Sequence, residues 1–135
     1  TSASASAIGI ASTSSTAPLT ISSNAVREVA NNNATAAVIV TGIFNSGPTS
    51  GTNAVAKNVI HTLTNAATAG SINGINVTAG TTTFSNNMID LGNGLTNSAQ
   101  INGVNEPLGN GTFYHNSIYI GGSGVASGPM GINAL

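Results

Sequence analysis

Apolar and polar residues alternate along this chain in short runs, and no run keeps the i, i+3, i+4, i+7 spacing of a helix face for long. The segments Ile89-Asp90-Leu91 and Ile118-Tyr119-Ile120 show the alternation most clearly; it is the period of a strand, which sends successive side chains to opposite faces. Two anchors recur. Gly followed by Ile or Val appears as Gly9-Ile10, Gly42-Ile43, Gly74-Ile75, Gly103-Val104 and Gly131-Ile132, at intervals of 33, 32, 29 and 28 residues. Asn followed two residues later by Val or Ile appears at Asn24, Asn58, Asn87 and Asn116, at intervals of 34, 29 and 29. The two series interleave, and three residues before each Asn stands Ile21, Val55, Phe84 or Phe113. Between the apolar runs lie turn-forming stretches such as Asn45-Ser-Gly-Pro-Thr-Ser-Gly51 and Pro107-Leu-Gly-Asn-Gly111.

Short strands repeating every 28 to 34 residues predict an all-β solenoid of about four coils with open ends. Each coil carries a strand at the Gly-Ile anchor, one at the Thr-x-Phe segment and one at Asn-x-Ile. Stacking the coils at the spacing of about 4.8 Å between neighbouring strands turns equivalent residues into ladders. Three apolar ladders are expected inside: Ile10, Ile43, Ile75, Val104 and Ile132; Val26, Ile60, Ile89 and Ile118; and Ile21, Val55, Phe84 and Phe113, whose two Phe rings are neighbours. Asn24, Asn58, Asn87 and Asn116 are expected to stack at a corner, each amide donating to the next and accepting from it, with Asn tolerating a left-handed backbone there.

Composition supports a narrow, closely wound interior. Ala, Asn, Gly, Thr and Ser supply 19, 19, 17, 17 and 16 of the 135 residues, and Cys and Trp are absent. With 4% charged and 40% hydrophobic residues, the chain lacks the charge-rich signature of disorder. Its two basic residues give no electrostatic footprint for nucleic acid, and no apolar run approaches the length of a bilayer span, so neither nucleic-acid binding nor membrane insertion is expected. Without Cys there is no disulfide framework or thiolate chemistry.

The strings Ala56-Lys-Asn-Val-Ile-His-Thr-Leu63, Ile72-Asn-Gly-Ile75, Thr83-Phe-Ser-Asn-Asn-Met-Ile-Asp-Leu91 and Phe113-Tyr-His-Asn-Ser-Ile-Tyr-Ile-Gly-Gly122 carry a resemblance. Together they are similar to the repeat region of large secreted surface proteins of gliding-type Gram-negative bacteria, which typically carry a C-terminal type IX sorting domain. Those repeats resemble the right-handed parallel β-helix of the pectate-lyase-like superfamily. The resemblance implies an extracellular or cell-surface stalk, adhesin or filament, and it supplies the expected handedness.

Candidate chemistry is sparse. Arg27, His61, Asp90 and Tyr119 each lie three residues after a ladder Asn and should form one outward column, the candidate glycan-contact surface. His61 beside Asp90 would be an oriented base, and Arg27 would neutralise a substrate carboxylate. One residue of each kind provides neither the paired carboxylates of a glycosidase nor an acidic Ca²⁺ cluster, so no catalysis, metal or cofactor is expected. His115 precedes its ladder Asn, as Lys57 and Asn86 do, and belongs to a different column from His61. Gly121-Gly-Ser-Gly124 is followed by neither Lys nor a helix pattern and is not a phosphate loop. Thr20, Thr83 and Thr112 share a position that would suit ice binding, but Ala54 interrupts the row.

The sequence opens without Met or a recognisable signal peptide and closes on Met130-Gly-Ile-Asn-Ala-Leu135, which reads as the start of a further unit. The expectation is one solenoid segment, residues 1–135, belonging to a longer repeat protein or acting as a filament protomer. Its partners would then be adjacent repeats or a second copy stacked end to end. A structural role leads, with a carbohydrate-binding or carbohydrate-cleaving β-helix as the alternative and ice binding as a lesser one.

Overall fold

The computed structural model describes residues 6–95 and 100–121. Among them the chain is all strand and turn, wound into four rungs. The first rung holds β1 (Ser6–Ser12), β2 (Thr20–Ser22), β3 (Ala25–Arg27) and β4 (Ala30–Asn31). The second holds β5 (Ile39–Ser46), β6 (Ala54–Ala56), β7 (Val59–His61) and β8 (Thr64–Asn65). The third holds β9 (Ser71–Ala79), β10 (Thr81–Ser85) and β11 (Met88–Leu91), and the fourth β12 (Gln100–Asn105), β13 (Asn110–Tyr114) and β14 (Ser117–Ile120).

Every strand pairs in parallel with its counterpart one rung away, giving sheets ordered β1-β5-β9-β12, β2-β6-β10-β13 and β3-β7-β11-β14, plus the pair β4-β8. The molecule is therefore a parallel β-solenoid of about three complete turns. Consecutive strands within a rung belong to different sheets, so the chain must pass right round the coil before it pairs with itself.

The apolar ladders run lengthwise through the interior. Ile10, Ile43, Ile75 and Val104 stand in register on the first sheet; Ile132 lies outside the described residues. Ile21, Val55, Phe84 and Phe113 line the second sheet, and Val26, Ile60, Ile89 and Ile118 the third. Val55, Ile60 and Phe84 are fully buried, whereas Ile10, Phe113 and Ile118 at the outer rungs are half-buried against the same core. The Phe84 and Phe113 rings stack with centroids 4.8 Å apart and planes 11° from parallel.

The first sheet departs from simple alternation. Val40 and Ile43 are both wholly buried although three residues apart, so an additional inner row, Val40, Ile72 and Ile101, runs beside the anchor row. The pairing keeps one offset across Gly42, from Thr41↔Asn73 to Ile43↔Ile75, and shifts only later, between Asn45 and Ser46, so the change of facing at the glycine is local to the pleat and leaves the register intact. That glycine column also explains why the two sequence anchors keep phase. A Cβ on Gly42 would lie 2.6 Å from the Ile60 Cγ2 and 2.6 Å from the Gly74 carbonyl oxygen. Gly9, Gly74 and Gly103 meet Val26, Ile89 and Ile118 in the same way. Each glycine is thus the socket for the branched residue of its own rung's Asn-x-Ile strand.

Candidate functional site

Among the described residues, the corner between the second and third sheets carries an unbroken ladder of four Asn side chains. Asn24 Nδ2 donates to Asn58 Oδ1 at 3.0 Å, Asn58 Nδ2 to Asn87 Oδ1 at 3.0 Å, and Asn87 Nδ2 to Asn116 Oδ1 at 2.9 Å. Each Oδ1 also accepts the backbone N–H of the preceding ladder Asn, at 3.1, 3.1 and 3.0 Å. The remaining Nδ2 hydrogens tie the corner to the rung before, Asn58 donating to the Ile21 carbonyl, Asn87 to Val55 and Asn116 to Phe84. Asn58 and Asn87 are buried to within 1%. Burial of so polar a side chain is tolerable because its hydrogen-bonding groups find partners.

The left-handed backbone expected of these Asn residues belongs instead to the residue before each one. Ser23, Lys57, Asn86 and His115 have φ of 59, 58, 54 and 52°. The turn must be made just ahead of the ladder so that the Asn itself can face inward and begin the next strand. His115 therefore occupies a backbone turn position, two rungs away from His61 and in another column.

On the outer face of the third sheet, Arg27, His61, Asp90 and Tyr119 stand in one register column. Their hydrogen bonds stay within their own rungs: His61 Nδ1 lies 2.8 Å from Thr62 Oγ1, and Asp90 Oδ1 accepts from Asn93 Nδ2 at 2.8 Å. Tyr119 is 60% exposed and Met88 56%. A shallow hollow of about 320 Å³ is lined by Met88, Asp90, Ser117 and Tyr119 together with Ile89 and Ile118. This column provides one cation, one imidazole, one carboxylate and one phenol in single file. Among the described residues no three His, Asp or Glu side chains gather as a metal-binding group, and no helix is long and apolar enough to cross a membrane. On the second sheet Thr20, Ala54, Thr83 and Thr112 form the neighbouring outward column, with Ala54 breaking the row of hydroxyls.

Several polar ladders escape a reading built on two anchors. Asn31 Nδ2 donates to the buried Asn65 Oδ1 at 2.8 Å. Both residues lie seven positions after a ladder Asn, so the signal was present but recurred only once. Asn102 donates to Asn73 Oδ1 at 2.7 Å and Asn105 to Asn76 Oδ1 at 2.9 Å, following the repeated Ile-Asn-Gly-Ile/Val-Asn string. Asn53 accepts from the Leu19 N–H and donates to the Pro48, Ser50 and Thr81 carbonyls, closing the long turn before β6.

No protein-family model, curated protein or solved structure matches the chain.

Proposed function

We propose that this chain is a non-catalytic structural segment of an extracellular β-solenoid, serving in a stalk, adhesin or surface fibre, whose rungs continue end to end in the same polypeptide or in a second copy. The observation that carries this reading is the direction of the corner amide ladder. Every rung presents Oδ1 to the rung before it and N–H groups to the rung after it. Among the described residues, Asn24 Oδ1 has no donor, while the Asn116 backbone N–H and one Nδ2 hydrogen have no acceptor. The first and fourth rungs are therefore complementary to each other and not to themselves, which favours head-to-tail continuation. Heterologous contacts of that kind extend without closing.

Secretion through a type IX route and kinship with the pectate-lyase-like superfamily belong to the same proposal and rest on the sequence resemblance. The test is sedimentation and electron microscopy of the chain over a range of concentrations. Axial polymers that shorten when Asn24 is replaced by Ala support the reading. A monodisperse monomer at high concentration overturns the self-stacking form of it.

A second reading, a carbohydrate-binding face, is favoured by the exposed Tyr119 ring beside the Asp90 carboxylate in the outward hollow. An aromatic face with a neighbouring acceptor suits a sugar ring. Glycan-array binding that disappears in Tyr119→Ala and His61→Ala would favour this reading over the structural one.

A further inference from the structure

The described residues contain four Asn-Gly pairs of identical local chemistry: Asn73-Gly74, Asn93-Gly94, Asn102-Gly103 and Asn110-Gly111. The fold treats them very differently. Asn73 and Asn102 are 2% and 3% exposed, within β9 and β12, and are joined to each other by their side chains. The Gly111 N–H donates to Glu106 Oε1 at 2.7 Å. Asn93 and Gly94 instead sit exposed at the tip of a turn closed by the Leu95 N–H on the Gly92 carbonyl at 3.0 Å. Gly94 has a φ of +77°, nothing lies within 4 Å of where its Cβ would be, and among the described residues its N–H has no acceptor.

We infer that Asn93 is a site of spontaneous deamidation, selected from the four Asn-Gly pairs by the fold. The Gly94 backbone nitrogen bonds to Asn93 Cγ and the Cγ–Nδ2 bond breaks. The nitrogen departs as ammonia, carrying the proton from the Gly94 amide. Water then opens the five-membered imide to aspartate or isoaspartate. An attacking nitrogen with no hydrogen bond to surrender, on a glycine with open space around it, can reach the attack geometry by local motion of the turn alone. At Gly111 the bond to Glu106 must first be given up, and at Gly74 and Gly103 a packed strand must open. The reaction has a local consequence, because Asn93 Nδ2 is the donor to Asp90 Oδ1. The product sets a second carboxylate where that donor stood. The turn keeps its Leu95-to-Gly92 backbone bond but loses its side-chain tie to Asp90, and negative charge is added beside the outward column.

Peptide mapping by mass spectrometry, on the full chain incubated at mildly alkaline pH with and without denaturant, tests the inference. In denaturant all four pairs should convert at similar rates. In the native chain Asn93 should convert within about threefold of its denatured rate, while Asn73, Asn102 and Asn110 slow by roughly tenfold or more. Native protection of Asn93 equal to that of Asn73 and Asn102, or conversion of Asn110 ahead of it, overturns the assignment.

Discussion

At the scale of single residues, Asn58 ties the first, second and third rungs together at the corner. It accepts from the Asn24 backbone and side chain and donates to the Ile21 carbonyl and to Asn87. Asn58→Ala strands several of these partners in the interior, and a loss of about 2–4 kcal/mol in urea unfolding is expected, since each orphaned buried group costs roughly 1–3 kcal/mol. Asn24→Ala, in the half-exposed outer rung, should cost about 1 kcal/mol. Phe84→Ala removes a fully buried ring stacked on Phe113 and should cost about 3–5 kcal/mol; less than ~1 kcal/mol would contradict its interior position. These residues were legible in the sequence because a ladder demands the same side chain, or the same kind, once per rung. The left-handed position was not legible, because Ser23, Lys57, Asn86 and His115 share a backbone angle and no chemistry. Lys57→Gly should leave stability nearly unchanged, whereas Lys57→Val should cost about 1–2 kcal/mol, a β-branched side chain being poorly suited to that conformation.

At the scale of elements, the strands that alternate cleanly, β10, β11, β13 and β14, were readable directly from sequence. The long strands of the first sheet were only partly readable. There the Gly-Ile anchor marked the row, but the residues before it, such as Val40 and Ile72, proved equally buried. A local change of facing at the glycine brings both sets inward, and a period-two pattern does not show that. The short pair β4-β8 was missed because its marker, the Asn31–Asn65 bond, joins just two rungs. The socket geometry makes a prediction at this scale. Gly42→Ala pushes against the third rung at the Gly74 carbonyl and against Ile60 across its own rung, and should cost about 1–3 kcal/mol as overpacking does. Calorimetry of the double variant Gly42→Ala, Ile60→Ala should show a loss smaller than the sum of the two single losses, since the shortened side chain vacates space the new methyl needs.

At the scale of the whole molecule, stability is distributed along an axis, and each rung meets only its neighbours. The formal net charge of −1 leaves little for salt to screen. If copies stack as proposed, sedimentation at low and high ionic strength should give nearly the same association, in contrast to assemblies held by charged faces. The outward column of Arg27, His61, Asp90 and Tyr119 was legible as a register, because strand pairing is arithmetic. Its neighbour Asn93 was not singled out, since the feature that exposes it is a turn rather than a repeat. The winding also bears on how quickly such a chain can fold. Partners across the corner are 34 residues apart between the first two rungs and 29 thereafter. Every closure therefore spans roughly a fifth of the chain or somewhat more, a topology of slow, millisecond-to-second folders. Adding rungs leaves that separation unchanged, so once one pair of turns has closed, later turns zip on at the same entropic expense however long the array becomes.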